Sequence, residues 1–146
     1  MKRKLYTLGY EGRDLPSFIQ QLKDEKVEKL LDVRQTAWSR KRGFSKTALS
    51  EAVESEGITY LHFSMVGAPK ALREELYSTW DYARFFAGYR KHLNKLNGDL
   101  TEVVEEATSG SACLMCFEAD HKACHRSVLA QCIKRQDGNG LQIIHL

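Results

Sequence analysis

The feature that most constrains this chain is a repeated change in the period of its apolar residues. Short apolar runs of strand length alternate with stretches whose apolar residues recur at helical spacing. Lys4 to Leu8 is a strand candidate ending at Gly9, and Leu15, Phe18, Ile19 and Leu22 then fall on one helical face. Asp14 is placed to cap that helix, with Pro16 in its first turn. Lys29 to Val33 reads as a second strand, a helix follows from near Ser45 to Gly57, and Thr59 to Phe63 reads as a third strand. Tyr82, Phe85, Phe86, Tyr89, Leu93 and Leu96 form one long buried stripe, ended by Asn97-Gly98. Leu100, Val103, Val104 and Ala107 give a shorter helix, and Ala112 to Phe117 a fourth strand. A last helix carries Val128, Leu129, Cys132 and Ile133 and ends near Asp137-Gly138, and Leu141 to Leu146 closes the chain as a fifth strand.

Strands alternating with helices predict an α/β fold: a single three-layer domain over residues 1–146, with a mostly parallel sheet of about five strands and helices on both faces. At 146 residues the chain is long enough to bury a core without staples. The basic start, Met1-Lys2-Arg3-Lys4, is followed by no apolar stretch of signal-peptide type, and no run is long enough to span a bilayer. A cytoplasmic location without membrane association is expected. There the four cysteines read as core, catalytic or metal-binding thiols and not as a disulfide framework. The net charge of +3 is too small to imply nucleic acid, so the distribution of charge matters more than the sum.

In a parallel sheet the strand-to-helix loops share one edge, and ligands bind outside the carboxyl ends of the strands. Here those loops carry Tyr10 and Arg13 after the first strand, and Asp32, Arg34, Trp38, Arg40, Lys41 and Arg42 around the end of the second. Ser64, Gly67, Lys70 and Arg73 follow the third, and Glu118, Asp120, His121, Cys124, His125 and Arg126 the fourth. The opposite edge, such as Asp24 to Glu28 and Asp137 to Gly140, holds plain polar turns.

Cys124, His125 and Arg126 stand where the last helix starts. A thiol there feels the positive end of the helix dipole, and an adjacent cation favours its thiolate. Cys124 is the candidate nucleophile, or Cys116 if the strand end faces the cleft, with Glu118 and His125 moving protons. The same spacing also suits a small buried Cys124 and a structural Arg126–Glu118 pair. Arg126, Arg34, Asp32, Tyr10 and Arg13 are the candidate substrate-binding residues. Asp32 equally suits a brace for Arg34. If Cys116 and Cys124 lie close together, they form a redox-capable pair.

Two further readings compete. The segment 34–46 holds five basic residues and no acidic one, with Trp38 and Phe44 interleaved. Arg40, Lys41 and Arg42 there are candidates for binding nucleic acid. Cys116, Glu118, His121, Cys124 and His125 offer zinc- or iron-type ligands, but in no closed structural-zinc spacing. Cys113 and Cys116 are three apart in a strand and so face opposite ways. No metal ligand set is assigned, no cofactor is identified, and the oligomeric state is not encoded in any motif. Cys113, Cys132, Tyr82, Phe85, Phe86 and Tyr89 read as core, and His62, His92 and His145 as isolated core or surface histidines.

At these residues the sequence resembles a family designated domain of unknown function 488. The matching pieces are Thr7-Leu8-Gly9-Tyr10, Leu31-Asp32-Val33-Arg34, Val66-Gly67-Ala68-Pro69-Lys70, and Cys116-Phe117-Glu118-Ala119-Asp120 running on to Cys124-His125-Arg126. Tyr10 stands where family members often have histidine, and Ala68 where they have a second glycine. The resemblance implies an α/β fold with its characteristic residues on one edge, and it assigns no reaction. The expected function is an enzyme acting on an anionic substrate, phosphate-bearing and of nucleotide or nucleic-acid type, at the Cys/His/Arg/Glu cluster. The expected partners are an anionic small molecule or a nucleic acid.

Overall fold

The structure is a computed structural model that describes residues 3–96, 98–138 and 140–146, with backbone alone at 98 and 99. Met1, Lys2, Asn97 and Asn139, which enter the terminal and turn expectations above, lie outside the described residues. The elements in chain order are β1 (Lys4–Gly9), α1 (Leu15–Asp24), β2 (Lys29–Asp32), α2 (Lys46–Glu54), β3 (Thr59–His62), α3 (Lys70–Thr79), α4 (Tyr82–Asn94), α5 (Gly98–Thr108), β4 (Ala112–Cys116), α6 (His125–Asp137) and β5 (Gln142–His145). Short 3₁₀ turns at Ser64–Val66 and His121–Ala123 precede α3 and α6.

All five strands are parallel, in the order β3-β2-β4-β1-β5. The α/β expectation holds, and the sheet is parallel throughout. β4 is central and buried along its whole length, which is why its sequence, Ala-Cys-Leu-Met-Cys, is apolar without alternation. Its alternate residues enter different cores. Cys113 and Met115 pack with Phe18 and Leu22 of α1 and Leu49 and Val53 of α2. Ala112, Leu114 and Cys116 pack with Leu76 of α3, Phe85 and Tyr89 of α4, Val103 of α5 and Leu129 of α6. Fully burying a side chain such as Phe18 or Leu22 contributes about 1.5–3 kcal/mol.

The helix boundaries follow local chemistry. The Asp14 side chain accepts from the Ser17 amide, and Asp81 accepts from the Arg84 amide to start α4. One helix was not legible in the sequence: α3 covers residues read above as loop. Leu72 and Leu76 are the only leucines it turns toward the core, so its apolar stripe is too thin to register. Trp80, in the left-handed conformation at φ 55°, turns the chain from α3 into α4.

The two-sided arrangement positions the site. Chain leaving β1 and β2 enters α1 and α2 on one face, whereas chain leaving β4 enters α6 on the other. Since β4 lies between β1 and β2, the backbone parts above its carboxyl end and leaves a crevice. Two glycines let main chain close its floor. A Cβ on Gly9 collides with the Glu118 carbonyl, and one on Gly67 collides with the Gln35 amide. Backbone cannot rotate away as a side-chain tip can. Gly9→Ala is therefore expected to cost at least about 1–3 kcal/mol, as overpacking does. A lowered urea midpoint checks this, and an unchanged midpoint would show that the 117–120 loop moves freely.

Candidate active site

The end of β2 supplies a buried ion pair. Asp32 is fully buried and takes two hydrogen bonds from the Arg34 side chain, Nε to Oδ1 at 2.8 Å and Nη2 to Oδ2 at 2.6 Å. The Arg34 amide and the Tyr60 hydroxyl also donate to this carboxylate. Arg34 donates onward to the Phe44 carbonyl at 2.7 Å and the Tyr10 hydroxyl at 3.3 Å. Burial works against its charge, but the hydrogen bonds and charge of Asp32 outweigh it and raise the Arg34 pKa. Burial and then Asp32 likewise hold Tyr60 protonated. Asp32 is thus a brace, and Arg34 lines the crevice with each of its nitrogens already bonded within the protein.

The end of β4 and the start of α6 supply the thiols. Cys116 and Cys124 meet sulfur to sulfur as a disulfide pair, with Cα atoms 7.6 Å apart. Cys124 is the N-cap of α6, and its sulfur accepts from the Arg126 amide at 3.5 Å. Arg126 is fully buried, and its Nη1 donates to the Cys116 sulfur at 3.1 Å. Its remaining donors go to the Thr7 hydroxyl and the Glu118 and Ala119 carbonyls. Burial lowers its pKa. Every arm of this guanidinium is used within the protein, so Arg126 braces the thiol pair from beneath and is not among the residues lining the crevice.

Glu118 Oε2 lies 3.5 Å from the Cys116 sulfur, and burial raises the Glu118 pKa. The His125 Nε2 lies 2.8 Å from the Val33 carbonyl, an acceptor, so this nitrogen carries the proton. Its Nδ1 then turns a lone pair toward the Cys124 sulfur, 3.6 Å away. Burial lowers the His125 pKa to about 4 and keeps the ring neutral. Among the described residues, Cys116, Glu118 and Cys124 are the group whose donor atoms, all within 4.8 Å, would suit a metal ion. The Arg126 guanidinium on the Cys116 sulfur opposes a second cation there.

These groups border a pocket of about 230 Å³. Its lining includes Tyr10, Arg34, Cys116, Glu118 and His125, and it adds Arg73 of α3. Arg73 is held by the Ala68 carbonyl and the Gln35 side chain. Its place on α3 has no mark in the sequence, because the apolar stripe of that helix is too thin to set a helical period. Trp38, Tyr77 and Phe117, 63%, 56% and 45% exposed, also line the pocket. Arg13, Arg40, Lys41 and Arg42 do not. Lys41 donates to the Tyr10 carbonyl, while Arg40 and Arg42 are exposed. Cys113 is buried, with its pKa pushed well up by that burial, and Cys132 packs against the core. The three histidines read as isolated all have partners: the Arg34 carbonyl for His62, the Met65 carbonyl for His92, and Thr7 with the His121 ring for His145.

An all-parallel sheet with helices on both faces, and thiol and ionisable side chains gathered where β1, β4 and β2 end, defines an α/β protein with a candidate site in its crevice. The chain belongs to the family described as domain of unknown function DUF488, whose model matches residues 14–133. The Thr7-Leu8-Gly9-Tyr10 piece precedes the matched segment. No curated protein and no solved structure matches the chain.

The neutral His125 makes stability depend on pH. Its folded pKa, about 4, lies below the ordinary 6.5, so between these values the unfolded chain binds the extra proton. The stabilisation is complete above pH 6.5 and is lost as pH falls toward 4, up to about 3 kcal/mol. Urea midpoints measured at pH 7 and pH 4.5 should fall less in His125→Gln than in the wild type. Equal losses in both proteins would show that His125 does not carry this dependence.

Proposed function

We propose that the crevice is the active site of a thiol-dependent enzyme acting on an anionic, phosphate-bearing substrate of the nucleotide class. The observation that carries this reading is the Cys116 sulfur at the strand end. It has a guanidinium proton donor on one side and a half-buried carboxyl group on the other, and it borders a pocket that also holds Arg73.

A guanidinium against sulfur favours the thiolate, the nucleophilic form. Cys116 faces the pocket, so it is the nucleophile, and Cys124 stands behind it as the partner thiol. In the reduced enzyme the Cys116 thiolate bonds to the electrophilic atom of the substrate. The bond to the leaving group breaks, and the leaving group takes the Glu118 proton. Water then cleaves the sulfur–substrate bond, and Glu118 recovers a proton from that water. Arg73, which forms no ion pair among the described residues, favours a phosphate, while Arg34 is already neutralised by Asp32. Trp38, Tyr77 and Phe117 give a flat ring surfaces on which to stack, which suits a nucleobase.

The second reading is a metal centre on Cys116, Glu118 and Cys124, favoured by the proximity of their donor atoms. Elemental analysis of protein purified without chelators discriminates. Close to one metal per chain would replace the thiol mechanism, and a value near zero leaves the thiol reading in place.

The direct test is alkylation of the reduced protein with iodoacetamide across pH, with the labelled residues mapped by mass spectrometry. Cys116 is expected to label fastest, with a midpoint well below the ordinary thiol value of about 8.5. Adenosine monophosphate should protect it. Slow labelling of all four cysteines with ordinary thiol profiles would remove covalent catalysis from the site.

A further inference from the structure

A second cavity of about 420 Å³ lies on the other flank of the 117–125 segment. Ala123 and His125 of that segment face the active-site pocket, whereas His121 and Lys122 face this groove. Arg90 of α4 and Arg135 of α6 join them, together with His145 at the end of β5. No aspartate or glutamate lines the groove. Arg90, Lys122 and Arg135 are exposed, and none of them forms an ion pair among the described residues. The contrast with Arg84, on the same helix as Arg90, is direct, because Arg84 is paired with Glu75. Three cations from separate elements thus converge on a groove with no counter-charge of its own. The His121 and His145 rings stack there at 3.7 Å, nearly parallel, and shape its wall.

We propose that this groove binds the phosphate backbone of a single-stranded nucleic acid, one nucleotide of which enters the active-site pocket. The groove argument stands on the cations alone. The link to the pocket rests on the nucleotide reading given above. Carried on three separate elements around an open groove, the cations suit successive phosphates better than one small anion. The aromatic pocket next door favours a nucleic acid over an acidic peptide, since it offers stacking surfaces and a peptide of carboxylates has no rings to fill them.

Fluorescence anisotropy of a fluorescein-labelled oligothymidylate, titrated with the full chain at increasing salt, tests this. Three phosphate contacts predict a log–log salt slope of about −2 on a single strand. In Arg90→Gln/Arg135→Gln the slope should shrink to about −0.7, with affinity at low salt at least ~10-fold weaker. Circular dichroism checks that the variant is folded. Wild-type affinity and slope in that variant would overturn the proposal, as would loss of binding in an Arg40/Lys41/Arg42→Ala variant while Arg90→Gln/Arg135→Gln still binds. Equal competition by polyglutamate of matched charge would overturn the choice of nucleic acid, as would binding to anionic vesicles without binding to the oligonucleotide. Cys116 labelling in the same proteins separates the two readings. Strand binding without a reactive thiol leaves the groove and removes the pocket chemistry, and a reactive thiol without strand binding does the reverse.

Discussion

The buried guanidinium of Arg126 is the interaction on which the site depends. It leaves the first turn of α6 and bonds to Thr7 of β1, Cys116 of β4 and two carbonyls of the loop between β4 and α6. A charge taken out of water is costly unless its donors are matched. Here the matching groups come from three parts of the chain, so the charge is satisfied only when all three are in place. The same contacts that offset its desolvation therefore hold the thiol pair deep in the crevice. Asp32 and Arg34 repeat the arrangement at the end of β2 with a complete ion pair.

Much of the fold was legible because it rests on local signals. The change between strand and helix periods located every strand, and Asp14 marked a helix start that the structure bears out with its capping hydrogen bond. The opposed directions of Cys113 and Cys116 followed from strand geometry alone. Strand order did not follow, because pairing β4 between β1 and β2 is a long-range outcome with no local mark.

The candidate site was legible as a list of loops but not as a geometry. Sequence position put Cys116, Glu118, Cys124, His125 and Arg126 on one edge. It could not tell which of them face the cavity. Arg126 is spent inside the protein, and Cys116 lines the pocket, because the 117–124 loop folds back over the strand end. Arg73 depends on α3, whose weak apolar stripe hid the helix that carries it. The stacking of His121 on His145 joins a loop to the last strand across 24 residues, which no motif spacing reports.

The floor and the rim of the crevice are made of different material. Main chain at Gly9 and Gly67 closes the floor, in contacts that tolerate no added atom. The rim is built from exposed side chains, Trp38, Tyr77 and Phe117, whose exchange disturbs little of the core. Replacement at the rim can therefore change what the crevice admits, while the floor beneath keeps its shape.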